Sequence, residues 1–179
     1  IAMTITLLWF AAISVQAAPH PTKDTVDSLL HCIDTAIGQT DKYVQKKTDR
    51  IDYLHTKLDK AETLSAKYEL SYQLYTEYLP FVNDSAIFYL EQCTDIARKL
   101  NDSSKTGGCL SLMALCCSNA GIYLESVSIL KTIDPSQLNG IDLGLYYYAY
   151  SHVSNELAYY GKFANMRKQY ADASTRYFT

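Results

Sequence analysis

From residue 64 the chain repeats itself with a period of forty residues, and this repeat restricts the fold more than any other feature. Aligning positions forty apart puts Ala86, Ser126 and Met166 in one column and Leu90, Leu130 and Tyr170 in a second. Cys93, Ile133 and Ala173 form a third, and Leu70, Leu110 and Tyr150 lie ahead of them. Gly121 and Gly161 share a further column, with Phe81 in the first copy. Each copy holds two apolar-periodic runs around a short polar break, the pattern of a helix pair. The expected pairs are 64–79 with 84–100, 109–120 with 125–133, and 143–160 with 163 onward. Pro80 ends the first helix, and Asn83 or Asp84 is expected to cap the second. NDSSKTGG (101–108) and DPSQLNG (134–140) read as turns between pairs, with Gly107-Gly108 in the first of them. A fixed period with shared apolar columns is how a solenoid is written, each pair burying its face against the next.

Ahead of the repeats, 18–63 reads as a helical hairpin. A first helix to about Ile37 has Asp24 or Thr25 as its cap and Val26, Leu29, Leu30, Ile33 and Ile37 on one face. Gly38-Gln39-Thr40 breaks it. Val44, Lys47, Ile51, Leu54, Leu58 and Ala61 then recur at spacings of 3 and 4, a narrow seam. The charges of Lys42, Lys46, Asp49, Arg50, Asp52 and Lys57 fall mostly on other faces, with acids interleaved among the bases. Such a seam suits a hairpin or self-association through the 44–61 helix. The fold class is therefore all-α: a helical hairpin, then a right-handed α-solenoid of about three helix pairs over 64–179.

The N-terminus carries no charge before Lys23. Ile5 to Val15 is an apolar run, and Val15-Gln16-Ala17 supplies the small or branched residues of a signal-peptidase cut. Residues 1–17 are expected to be an export signal cut after Ala17, with an uncleaved anchor as the alternative. The missing basic start and the helical pattern of STRYFT at the end imply further chain upstream of Ile1 and past Thr179.

Net charge is −3, without a basic cluster, which argues against a nucleic-acid surface in this segment. The five cysteines show no CxxC and no disulfide framework; most read as small buried hydrophobes. There is no HxxxH, and no metal or other cofactor is expected. Asp24, Asp27, Asp34 and Asp41 fall partly on one helical stripe, which reads as a solvated face rather than a cation site. His152 reads as a satisfied core or groove histidine. No GxSxG, HExxH, P-loop or GxGxxG is present, so no catalytic residue is expected.

Tyrosine is the unusual feature, 16 in all, eight of them after residue 140. Tyr146, Tyr147 and Tyr148 are consecutive and point around a helix, so they cannot all be core. In stacked pairs the first helices line the concave surface. The candidate groove residues are therefore Tyr72, Tyr75, Tyr147, Tyr150 and Ser154, suited to a peptide or a glycan stacked on rings. The competing reading has the rings covering the core with their hydroxyls in water.

Gly121, Tyr123 and Ser126 resemble the inter-helix signature of the tetratricopeptide repeat: a small residue, an aromatic two on, a small residue three beyond. Gly161 and Phe163 repeat it, with Met166 departing from the rule, and Ala86 fits in the first copy. The period of forty exceeds the usual 34 of that repeat. The segments LLHCIDTAI, DKYVQKKTDRIDYLHTKL and YELSYQLYTEYLPFVNDSAIFYLEQCTDIARKL resemble a family of Bacteroidota regulator-like proteins of unassigned function. That resemblance implies extracytoplasmic helical repeats, then a transmembrane helix, a coiled coil and a cytoplasmic DNA-binding end past Thr179. It makes this chain the non-catalytic sensory part, on the periplasmic or extracytoplasmic side of the inner membrane. A free periplasmic scaffold or adaptor without an output domain is the alternative.

Overall fold

The computed structural model describes residues 22–161 and 164–178. The expected signal (1–17) and Phe163 lie outside them. Among the described residues the chain is all α-helical: α1 Lys23–Gly38, α2 Thr40–Asp59, α3 Leu64–Tyr78, α4 Asn83–Lys99, α5 Ser103–Asn119, α6 Tyr123–Lys131, α7 Gly140–Tyr160 and α8 Ala164–Phe178. A short 3-10 turn, Pro135–Gln137, precedes α7. The chain divides into two compact units, Ile1–Val44 and Gln45–Thr179.

The first unit holds α1 and the first turn of α2. The cap of α1 is Thr22, whose hydroxyl accepts the Thr25 amide at 3.3 Å, and not Asp24 or Thr25 as the sequence suggested. The hydroxyl satisfies one of the amides that a first turn leaves without a partner. The helical run is interrupted only at Gln39, narrower than the break read from Gly38 to Thr40.

In the second unit the pairs α3–α4, α5–α6 and α7–α8 stack as a tetratricopeptide-like α-solenoid. The first two copies carry the repeat columns into the interior: Ala86, Ser126, Leu90, Leu130, Cys93 and Ile133 are all buried, while Tyr170 and Ala173 in the third copy are half-buried. One core cluster joins Ile51 and Leu54 of α2 to Leu74, Tyr75, Ala86, Tyr89, Leu90, Met113 and Cys116. The part of the 44–61 seam from Ile51 onward is thus covered within the chain, and a partner helix there would have to displace it. Lys47 and Arg50 pair with Glu77 across the α2–α3 contact. The hydrogen bond from Lys47 leads in holding the Glu77 carboxyl below its ordinary range. A second cluster gathers Ala114, Leu130, Ile133, Leu138, Tyr146, Ala149 and Val153.

Two of the differences from the sequence reading have a physical reason in the local structure. NDSSKTGG is not a turn: Asp102 caps α5, accepting the Lys105 amide at 2.9 Å, and the helix runs on through Gly107 and Gly108. These glycines mark close approach rather than flexibility. A Cβ on Gly107 would run into the Leu138 side chain, and one on Gly108 into the Asp142 carboxylate. Second, α4 follows Val82 without a side-chain cap, so neither Asn83 nor Asp84 serves. DPSQLNG does hold a turn, which Asp134 closes by accepting the Ser136 amide at 3.0 Å. Gly121 ends α5 at φ +79°, where the Ile122 amide reaches back to the Cys117 carbonyl at 2.8 Å.

Candidate functional site

The first helices of the three pairs, α3, α5 and α7, line one open cavity of about 240 Å³. Each contributes for a local reason. On α3, Tyr68 and Tyr72 are one helical turn apart and so share a face; their rings stack at 6.3 Å with 16° between planes. On α5, the missing side chain of Gly108 lets the start of α7 come close, which brings Ile141, Asp142 and Leu145 to the rim. Lys105, Cys109 and Leu112 of α5 complete the wall between them.

The floor is a hydrogen-bonded group of phenol and thiols. The Tyr68 hydroxyl and the Cys109 sulfur lie 3.4 Å apart, and the Cys93 thiol donates to the Tyr68 carbonyl at 3.7 Å. Burial first, and then the bond to Cys109, pushes the Tyr68 phenol well above its ordinary range. The Cys93 thiol rises because of its hydrogen bond to Cys109 and its burial. Cys109 moves down, through its hydrogen bonds with Cys93 and then Tyr68, against the effect of its own burial. Tyr72 also rises, chiefly through burial. Cys93 and Cys109 are free thiols at 0% and 1% exposure, so this floor is packed and out of reach of a substrate.

The rim carries both signs. The Lys105 ammonium lies 5.2 Å from the centre of the Tyr68 ring and 3.6 Å from the Asp102 carboxylate. Asp142 accepts from the Ser104 hydroxyl at 2.8 Å, and that hydroxyl accepts the Asn139 amide at 3.1 Å. This chain of bonds fixes the Asp142 carboxylate at the mouth. Glu69 of α3, also exposed, lines the same cavity. Among the described residues no group of three or more His, Cys, Asp or Glu could hold a metal ion, and no helix is long and apolar enough to cross a membrane. The arrangement presents one half-buried aromatic ring, Tyr72, an apolar wall and charged groups of both signs.

The five residues named from the sequence do not come together here. Tyr72 lines the cavity. Tyr75 is 5% exposed and packs in the core. Tyr150 and Ser154 line a different cavity of about 220 Å³ beside Val127, Leu130 and Tyr170, between α6, α7 and α8. Tyr147 is partly exposed, its ring set edge-on to Tyr146 at 5.4 Å. The cavity's other lining residues, which the sequence reading did not name, include Tyr68, Lys105, Leu112, Ile141, Asp142 and Leu145. The spacing of Tyr68 to Tyr72 could have flagged the first. Lys105 was hidden because its segment read as a turn, and Ile141 and Asp142 because α7 begins earlier than its apolar run.

The family profile described as the SusR N-terminal TPR domain matches residues 37–179. No curated protein and no solved structure matches the chain.

Proposed function

The chain belongs to the family of SusR N-terminal TPR domains, and from that membership we propose that it is the non-catalytic sensory part of an extracytoplasmic, membrane-anchored regulator. Repeats of this type are in general binding modules rather than enzymes, and protein interaction is their general role. The partner proposed here is a peptide segment of another protein, held along α3, α5 and α7. The observation that carries this reading is the half-buried Tyr72 ring, backed by the buried Tyr68, at an open cavity between Lys105 and Asp142. Rings give contact area at small entropy cost, and fixed charges of opposite sign select the direction of a peptide. A signal then requires that the bound partner favour one arrangement of the full regulator over another.

The test is a thermal-shift screen of the chain against peptide and oligosaccharide panels, followed by isothermal titration. A binder at a hundredfold excess over its Kd stabilises by about 2.7 kcal/mol, which such a screen detects. The Tyr72→Ala, Ile141→Asp double variant is expected to lose at least about tenfold in affinity, because it removes a half-buried ring and charges the opposite rim. A peptide hit that binds this variant unchanged would move the site out of the groove. Hits confined to oligosaccharides would keep the groove and replace the partner.

A further inference from the structure

The cavity between α6, α7 and α8, about 220 Å³, shares no lining residue with the groove. Three helices build it by the same rule. Val127 and Leu130 lie one turn apart on α6, Val153 and Leu157 on α7, and Tyr170 and Ala173 on α8, so each pair shows one face to the space. Leu130 and Val153 are buried, and the other four are half-buried. An apolar wall with a few placed polar groups is the make-up of a small-ligand pocket.

One polar group of this wall does nothing for the fold. Ser154 is 4% exposed and lines the cavity, yet its hydroxyl makes no hydrogen bond among the described residues. Other buried helix hydroxyls return to the carbonyl four residues back: Thr94 to Leu90, Ser111 to Gly107 and Ser126 to Ile122. Ser151, one turn earlier on α7, donates to the Ser174 carbonyl instead. A buried hydroxyl without a partner is costly, and a ligand in the cavity would supply one. Among the described residues that line the cavity none is acidic, and Lys131 stands exposed at its edge. We infer that this cavity binds a small carboxylic acid with a compact apolar body, its carboxylate accepting from the Ser154 hydroxyl and facing the Lys131 ammonium. An apolar cavity of about 150 Å³ holds benzene, so about 220 Å³ limits the body to one ring or a short branched chain. The occupant touches both α6 and α8, and so ties the third helix pair to the second.

The experiment uses the full chain and three probes of similar body and different head: phenylacetate, phenylethanol and phenylethylamine. Binding is read from the methyl NMR signals of Val127, Leu130, Val153 and Leu157. Phenylacetate is expected to shift these signals saturably, with a Kd of about 1 mM or tighter, the range open to a ligand of about ten heavy atoms. Phenylethanol should bind at least about fivefold more weakly, and the amine more weakly still, the scale of one exposed charge pair with a charge-assisted hydrogen bond. Ser154→Ala should weaken phenylacetate about tenfold and leave the melting temperature no lower than that of the parent, because the hydroxyl holds nothing in the fold. Lys131→Gln should remove most of the preference for the acid over the alcohol. Tyr72→Ala with Ile141→Asp should leave phenylacetate binding unchanged, which separates this site from the peptide groove. No saturable shift with phenylacetate, or binding of the alcohol or the amine as tight as that of the acid, would overturn the proposal. So would a Ser154→Ala chain that binds phenylacetate as the parent does, or one with a lowered melting temperature, since the hydroxyl would then serve the fold. Loss of phenylacetate binding in the Tyr72→Ala, Ile141→Asp variant would overturn it as well, by placing the probe in the groove.

Discussion

Gly107 and Gly144 lie on adjoining helices, and an added methyl group should do opposite things at the two. Each sits inside a helix, where Gly is about 1 kcal/mol less favourable than Ala. At Gly144 a Cβ would meet nothing within 4 Å. Gly144→Ala is therefore expected to stabilise the fold by about 0.5–1 kcal/mol, through helix propensity and a less disordered unfolded chain. At Gly107 the new atom would strike Leu138, itself buried, and would also come within 3.2 Å of the Ile133 Cγ2. Overfilling a packed site costs about 1–3 kcal/mol. Gly107→Ala should therefore lose stability on balance despite the better propensity. Urea unfolding of the two variants checks the pair, and a stabilised Gly107→Ala would show that Leu138 can turn aside. Gly107 also explains why one boundary was misread from the sequence. A glycine used for close approach and a glycine used for a turn look the same in a single chain, and the adjacent Gly108 made a turn the natural reading. The tyrosines were more legible in pattern than in place. Tyr146, Tyr147 and Tyr148 spread around α7 as their adjacency requires: Tyr146 is core, while the other two are 39% and 56% exposed. Which ring faces the groove depends on how the helices are rotated against each other, and a count of tyrosines does not contain that.

At the scale of the element, the repeat columns were readable because each helix pair must bury the same face against its neighbour. Leu90 on α4 and Leu130 on α6 are the clearest case, at 0% and 2% exposure in the first two core clusters. Leu90→Ala and Leu130→Ala should each cost about 2–5 kcal/mol, the range for a buried leucine that leaves a cavity. Tyr170, the same column on α8, is only half-buried and lines the open space between α6 and α7. Tyr170→Ala should cost less than either leucine change. Three equal losses in urea unfolding would mean that the third pair is closed more tightly than this arrangement has it. The helix ends were less readable than the faces. Thr22, Thr63 and Asp102 cap α1, α3 and α5 through their side chains, while α4, α6 and α7 begin without such a bond. Where tertiary packing holds a helix, its first turn can do without a cap, and the sequence then carries no mark of the start.

Over the whole molecule, the core is rich in phenols and thiols, and this ties stability to alkaline pH. Burial raises Tyr68, Tyr75 and Tyr89 above the ordinary tyrosine value of 10.0. Among the thiols, burial raises Cys117 above the ordinary 9.0 and pushes Cys116 up to about 11, while Cys93 rises through its bond to Cys109 as well as burial. Cys109 moves the other way, but it shares its hydrogen bonds with Cys93 and Tyr68, which rise. In the unfolded chain these groups ionise near 9 to 10; in the folded chain most keep their protons. Above that range the unfolded state binds fewer protons than the folded one, so the stability must fall as pH rises. Below it the raised groups are protonated in both states and give no pH dependence; only Cys109, lowered, acts there, and in the opposite sense. The expected profile is level between about pH 7 and pH 8.5 and then falls, by as much as about 1.4 kcal/mol per pH unit for each fully shifted group. Urea midpoints at neutral pH and near pH 10.5, in the presence of a reductant, measure the fall. Tyr75→Phe isolates one contributor: it keeps the ring in the core and removes the ionisable hydroxyl, so its alkaline slope should be shallower than that of the parent. An identical slope would mean that Tyr75 ionises freely in the fold, and that its ring is not held in the core as packed here.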